Sequence, residues 1–335
     1  MTTGYVEPSQ ESPELAEAEA VSAAEALGGH AAPESPVLSG LIALVLPDAD
    51  TWDRLAGRLG LARRCLLPTV TSPDAASSAR HEGARGGSAV FRRIGKASGG
   101  GTDDAVLSSG RAFKVGGGTI DLESPTRRFW LARDAMEADH LLEEVASVDR
   151  ATTARRRMPL LPFQRPVSLP PKLARAAVNL AQVKPSDAVL DPFLGTGSLL
   201  AEAGLLGGRL FGVDRDATMV RGALQNLAYL GLTAEKVIVG DARDVEFGDE
   251  HLRFSAIVTD PPYGRASSTG GTDASQLTAE VVERWRHLLR PAGRILVIVP
   301  AGGPALEIPG TIRFRIPVRV HRSLTREFRL YENAG

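Results

Sequence analysis

The chain has 335 residues and a single cysteine, Cys65, so it can form no intramolecular disulfide and no cysteine cluster for a metal. No uncharged apolar run approaches the length needed to span a membrane. The residues after Met1 are polar and acidic, with no basic start and apolar stretch of a secretory signal. These absences lead to the expectation of a soluble, cytoplasmic protein in a reducing compartment. Residues 1–53 contain no lysine or arginine, and the first basic residue is Arg54.

What is present suggests about two domains and ample apolar material, 43% of residues, for their cores. The formal net charge of -1 conceals a basic middle. Arg54 to Ala176 holds 21 Lys+Arg against 12 Asp+Glu. Such a stretch suits an RNA phosphate backbone. It equally suits a chain that uses arginine freely throughout.

Residues 187–198, DAVLDPFLGTGS, organise the rest. A short apolar run ends at Asp191, and a glycine turn, Gly195-Thr196-Gly197, leads into a helix. A buried strand, a glycine turn and a helix N-terminus make the local architecture of a nucleotide-type cofactor site. The dinucleotide fingerprint G-x-G-x-x-G is missing its third glycine, where Leu200 stands, and this disfavours a dehydrogenase. A lone G-x-G can also be an ordinary tight turn. Downstream order adds weight: FGVD ends at Asp214, GDARD spans 240–244 and TDPPYG spans 259–264, each after an apolar strand-like run. The carboxylates Asp191, Asp214, Asp241 and Asp260 then fall near strand ends on one edge of a sheet, where open α/β sheets bind ligands.

DPPYG resembles the [D/N/S]-P-P-[Y/F/W] motif of class I S-adenosylmethionine-dependent methyltransferases that act on nitrogen. FQRPVSLPPKLARAAVNLAQVKPSDAVLDPFLGTGSLLAEAGLLG, GDARD, AIVTDPPYGR and VHRSLTREF are similar to the archaeal tRNA guanosine-10 N2-methyltransferases, which carry a THUMP domain. The match is specific over Pro162–Tyr331 and diffuse before it. One departure is Leu194, where the family usually has cysteine.

The resemblance implies a fold of two parts. The first is an N-terminal α+β, ferredoxin-like and THUMP-like RNA-binding region over 1–150. A basic, proline-rich linker over 151–170 follows. The second is a Rossmann-like α/β methyltransferase domain over 171–335, with a mostly parallel sheet and a closing antiparallel hairpin. Strands are expected at 188–191, 209–213, 236–239, 255–259 and 294–299, with helices at 198–206, 217–230 and 277–290. Two closing strands should span Ile312–Arg319 and Thr325–Tyr331. In the front half, residues 1–12 read as disordered and Pro13–Ala26 as a helix closed by Gly28-Gly29. Val37–Leu46 and Cys65–Val70 read as strands, with a helix Trp52–Leu59 between them. Residues 72–118 are glycine- and serine-rich, with strand candidates Ala89–Ile94 and Ala112–Val115. Arg92, Arg93 and Lys96 are candidate RNA contacts, weighed against a solvated strand edge.

The cofactor implied is S-adenosylmethionine. Asp191 suits its methionine amine, with Phe193, Gly195 and Gly197 forming the turn around it. Asp214, 23 residues later, suits the ribose diol, near the spacing of about 20 known for such carboxylates. Asp241 suits the adenine amino group. The resemblance also puts Phe163, Leu169 and Pro170 near the methionine end. The reaction centre is Asp260, Pro261, Pro262 and Tyr263. Asp260 and the Pro261 carbonyl would accept hydrogen bonds from a guanine amine, the prolines would stiffen the loop, and Tyr263 would stack on the base. In HRSLTR, 321–326, His321 reads as structural in the hairpin rather than as a base, and Arg322 and Arg326 as phosphate contacts. No metal is expected. The partners implied are tRNA and, as in the eukaryotic relatives, a small activating protein. The alternatives are an adenine-N6 or ribosomal-RNA guanine methyltransferase, and a non-catalytic RNA-binding protein on the same fold.

Overall fold

The computed structural model describes residues 1–69, 74–95, 103–166, 168–262, 274–302, 306, 308, 310–321 and 324–333. Along the chain run β1 (Thr2–Pro8), α1 (Pro13–Ala26), β2 (His30–Ala31), β3 (Ile42–Leu46), α2 (Thr51–Arg58), β4 (Ala62–Pro68), α3 (Ala75–Ala84), β5 (Ser88–Arg93), α4 (Asp104–Gly116), β6 (Thr119–Ile120), β7 (Arg127–Arg133), β8 (Asp139–Ser147) and α5 (Arg150–Arg155). Then follow α6 (Pro171–Leu180), β9 (Ala188–Asp191), α7 (Ser198–Leu205), β10 (Arg209–Asp214), α8 (Ala217–Tyr229), β11 (Lys236–Val239), β12 (Phe254–Thr259), α9 (Ala274–Arg286), β13 (Leu289–Pro300), β14 (Thr311–His321) and β15 (Leu324–Glu332). They form two compact units: Met1–Gln10 with Leu27–Gly57 and Ala62–Asp149, and Glu11–Ala26 with Arg58–Leu61 and Arg150–Gly335. No helix among the described residues is long and apolar enough to cross a membrane.

The first unit is built on a mixed sheet in the order β2-β3-β1-β4-β8-β7-β5-β6. Strand β1 lies inside it, paired antiparallel with β3 and β4. The expectation of disorder over residues 1–12 is therefore wrong. Polar TTG and EP flank only Tyr5 and Val6, but both are buried, and ladder bonds on both sides secure the strand. At Gly4 the backbone comes so close to Trp52 that a Cβ would lie 2.6 Å from the indole. Strand β3 is shorter than expected and begins at Ile42, with Leu38 forming a single bridge to Asp134. Strand β4 covers Ala62–Pro68, and Val70 lies outside the described residues.

The glycine-rich stretch hides two helices, and Ala112–Val115 belongs to α4, not to a strand. Asp74 and Asp103 cap α3 and α4 by accepting amide hydrogen bonds, from Ser77 in the first case and from Ala105 and Val106 in the second. The helices cross where both carry glycine. A Cβ on Gly83 would sit 2.1 Å from the Phe113 carbonyl oxygen, and one on Gly116 would sit 2.2 Å from the Arg80 carbonyl oxygen. Phe113 then reaches the core, where Phe91 and Phe129 stack at 5.1 Å. Arg93, a candidate RNA contact for which the sequence favours a solvated strand edge, is half-buried and paired with Asp103 and Asp139, so it holds α4 to the sheet. Lys96 lies outside the described residues.

The second unit carries a sheet in the order β11-β10-β9-β12-β13-β15-β14. β11 through β13 pair in parallel, and β15 pairs antiparallel with both β13 and β14. This is the expected α/β architecture with its antiparallel closing hairpin. Period-2 alternation in buried strands splits the core into two layers. Val189, Leu210, Val258 and Leu296 face α6, α7 and α8. Leu190, Phe211, Ile257 and Ile295 face α9, with an aromatic cluster of Phe211, Phe247, Phe254 and Trp285.

Helix α1 belongs to this second unit. Its Leu15 and Ala16 join the first layer, and it packs on α6 and β14. Glu19, fully buried, accepts the amide N–H groups of Gly60 and Leu61, both at 2.8 Å, and the Asn179 side-chain N–H at 2.9 Å. Arg58 donates to the Asn179 side chain and to the Val183 carbonyl. Burial nonetheless pushes the Glu19 carboxyl up to about 7.

The helix crossing yields a prediction. Gly83→Ala should cost about 3 kcal/mol by overpacking. Gly110→Ala, in the same α4 but with its nearest neighbour 3.8 Å from the new Cβ, should gain about 0.5–1 kcal/mol. Urea unfolding of the two variants would check the opposite signs.

Candidate active site

The chain passes from β9 outward to β10 and β11, then returns across β9 to β12. Its direction thus reverses between β9 and β12, which makes the carboxyl ends of these strands the switch point where such sheets bind ligands. Three carboxylates stand there. Asp191 ends β9, Asp214 ends β10, and Asp260 follows β12.

Asp191 is 2% exposed. Its Oδ1 accepts the Phe193 amide at 3.1 Å and the Thr259 hydroxyl at 2.9 Å. Burial pushes its carboxyl up to about 7, and the neighbouring Asp260 and Asp214 push the same way. Thr259 thus ties the end of β12 to the end of β9. It was not among the expected site residues, although a lone hydroxyl after the apolar Ala256–Val258 was its available signal.

Leu194, Gly195, Thr196 and Gly197 make the turn into α7. The Leu194 amide bonds the Val213 carbonyl at 2.9 Å, and its side chain packs over Gly212. The departure at this position is therefore filled by a buried apolar group. Gly195 has φ +53°, and beyond its Cα the nearest atom to a Cβ would be 3.9 Å away, so the backbone there borders open space. Gly197, at φ +79°, caps α7. Asp214 Oδ2 accepts the Gly195 amide at 2.8 Å, and Oδ1 accepts the Asp216 amide at 2.9 Å. Each oxygen keeps a second lone pair for a ligand.

Asp241 lies in the turn after β11, next to Asp214, whose carbonyl accepts the Gly240 amide at 3.0 Å. Its carboxylate is taken by Arg243 at 2.7 and 3.0 Å, which holds it down to about 2. Pro261 is buried and Pro262 half-buried, while Tyr263 lies outside the described residues. Asp260 Oδ2 receives Arg326 of β15 at 2.6 Å. Arg326, expected as a phosphate contact, is instead 5% exposed and faces this carboxylate. Arg322 lies outside the described residues.

The segment before α6 is fastened to the same turn. Asn226 of α8 accepts the Phe163 amide and donates to the carbonyls of Phe163 and Thr196. The Ser168 and Thr196 hydroxyls meet at 2.9 Å. The Phe163 ring lies on Gly222, where a Cβ would come within 2.1 Å of it. Leu169 is buried beneath. Among the described residues no cluster of His, Cys, Asp and Glu is arranged to hold a metal ion.

Known proteins match this arrangement. A family model described as RMKL-like, methyltransferase domain, matches residues 160–307. A tRNA (guanine(10)-N2)-dimethyltransferase of Methanothermobacter thermautotrophicus is 38% identical over 236 residues, which span 69% of this chain and 67% of that protein. The chain belongs to the tRNA (guanine(10)-N2)-dimethyltransferase family. The member from Pyrococcus abyssi is 41% identical over 175 residues, about half of each protein. The crystal structure of TrmN from Thermus thermophilus shares the fold, with a TM-score of 0.51 and 21% identity over 98% of this chain and 99% of that one. The methyl donor of this methyltransferase family is S-adenosylmethionine, and the switch point suits it. The open space over Gly195 admits a ligand against the backbone, and the crowded carboxylates suit a cationic one.

Asp191 makes stability depend on pH. An unfolded aspartate titrates near 3.9 and this one near 7, so the folded state binds the extra proton. The favourable protonation is present at low pH and is lost as pH rises from about 4 to 7, up to roughly 4 kcal/mol in all. Asp191→Asn should remove that loss. Urea unfolding of wild type and variant at pH 5 and 8 should show their difference moving in the variant's favour with pH.

Proposed function

We propose that the protein transfers methyl groups from S-adenosylmethionine to the exocyclic N2 of guanosine 10 in tRNA. The observation that carries this reading is the convergence of Asp191, Asp214 and Asp260-Pro261 on the switch point between β9 and β12, in a chain of this family. When bound, the donor supplies an electrophilic methyl on a cationic sulfur. Asp191 receives the donor's ammonium group, which turns the costly buried carboxylate into half of an ion pair. Asp214 receives the ribose diol with its remaining lone pairs. Asp241, already paired with Arg243, contributes least, as an acceptor near the adenine. Phe193, Gly195 and Gly197 form the wall that the donor lies against.

The nucleophile is poor, because the N2 lone pair is delocalised into the guanine ring. Asp260 and the Pro261 carbonyl accept its N–H groups and so direct the lone pair toward the methyl. The Pro261-Pro262 pair restricts the loop and holds these acceptors in place. The reading gives Tyr263, which lies outside the described residues, the role of stacking on the base. A target inside a helix has to be turned out to enter it.

The tRNA reading has its own support in the chain. From Arg150 to Ser186 there is no acidic residue at all, and Arg155, Arg157 and Arg165 are exposed. Such a stretch attracts a phosphate backbone. We assign the N-terminal unit the task of gripping the tRNA, as a THUMP-like region, and place the reaction in the cytoplasm. A small activating protein is part of this proposal only if the purified chain proves inert.

The test is nucleoside mass spectrometry after incubating protein, donor and unmodified tRNA transcript. N2-methylguanosine or its dimethyl form should appear, and Asp260→Asn should lower its rate roughly 100-fold or more. N6-methyladenosine as the product would overturn the guanine assignment. A donor that binds with no methylation would point to a missing partner or another RNA.

A further inference from the structure

Arg326 belongs to β15, which is hydrogen-bonded on both sides. Opposite it stand Pro300 of β13 and Val318 of β14. Phe328 and Leu330, on the same face of the strand, are buried in the core layer under α1 and α6. The arginine is thus mounted on a strand paired on both sides, one place in from the sheet edge. Its Nη1 lies 2.6 Å from Asp260 Oδ2, with the two side chains 6% and 16% exposed. An ion pair this sheltered is not a surface decoration.

Among the described residues, further carboxylates stand near Asp260. Asp191 ends β9 with Asp214 of β10 beside it. Residues 298–300 of β13 and the first turn of α9, Ala274–Leu277, carry no charged side chain. Among the described residues, Arg326 is the cation that an ion pair places on Asp260.

We propose that Arg326 is a positioning residue for the methyl transfer, holding Asp260 ionised and fixing which oxygen faces the amine. The proposal deepens the functional reading and rests on it. As the S–CH3 bond breaks and the N–CH3 bond forms, positive charge passes from sulfur to N2, and one N2 proton has to leave. A carboxylate paired with arginine is a weak base but a firm acceptor. It orients the N–H throughout and relays the proton to water rather than retaining it. The side chain does this from β15, two places away from β12 in the sheet.

The test combines pH–rate profiles with a stability cycle. Without its arginine, the half-buried Asp260 near Asp191 should titrate about one to three pH units higher. In Arg326→Gln the acidic limb of kcat/KM for tRNA should move up by that amount, with the loss at neutral pH largely recovered at high pH. Arg326→Lys should lie between, and donor affinity by calorimetry should stay within about twofold of wild type. A uniform loss at every pH would make Arg326 merely structural and overturn the proposal, as would unchanged activity. The cycle holds even if tRNA is not the substrate. Arg326→Gln should lose stability progressively as pH rises, and Arg326→Gln with Asp260→Asn should regain it. If the second substitution restores nothing, the charge coupling is absent and the proposal falls. A wild type that methylates no tRNA yet shows the stability rescue would fault the substrate alone.

Discussion

Burying a carboxylate costs several kcal/mol unless something opposite in charge meets it. The second unit accepts that cost where β9 ends. Asp191 is out of solvent, its hydrogen bonds come from a neutral amide and a neutral hydroxyl, and two further carboxylates stand nearby. One of those, Asp260, has an arginine. The strand ends therefore concentrate acidic groups, a local charge imbalance, in a sheltered place. In the proposed function the donor's ammonium group relieves it at Asp191.

The frame that maintains this imbalance includes the beginning of the chain. Helix α1 packs against α6 and β14, and Glu19 satisfies the amides of Gly60 and Leu61. Arg58 reaches Asn179 and Val183 from the same short crossing segment. Residues 11–26 and 58–61 are thus structural parts of the unit that holds the site, although 27–57 belong to the other. Glu202 joins this frame as a second buried acid, taken by both Arg156 and Arg175. Paired in this way, it ties the connector after α5 to α6 and α7.

How much of this was legible depended on what each segment's neighbours demand. Strands buried on both faces must be apolar runs, and a ligand site must end them with polar groups. Hence β9, β10, β11 and β12, with Asp191, Asp214 and Asp260, stood out almost to the residue. The front half carries no such signal. β1 is two apolar residues in a polar setting and is stabilised by its neighbours' backbones, which composition does not reveal. Gly83 and Gly116 looked like loop residues because glycine usually is one; here they let two helices touch. Arg326 read as a phosphate contact because sequence shows a charge but not the face of the strand it occupies. Helix α1 was seen, but a helix sequence does not say which core it will cover.

The most direct measurement is a crystal structure with S-adenosylhomocysteine. The account predicts the ligand across the ends of β9, β10 and β12. Its amino group should lie within hydrogen-bond distance of Asp191, its ribose diol on Asp214, and its sulfur side toward Asp260-Pro261. A ligand bound elsewhere, or one that leaves Asp191 buried and untouched, would contradict it.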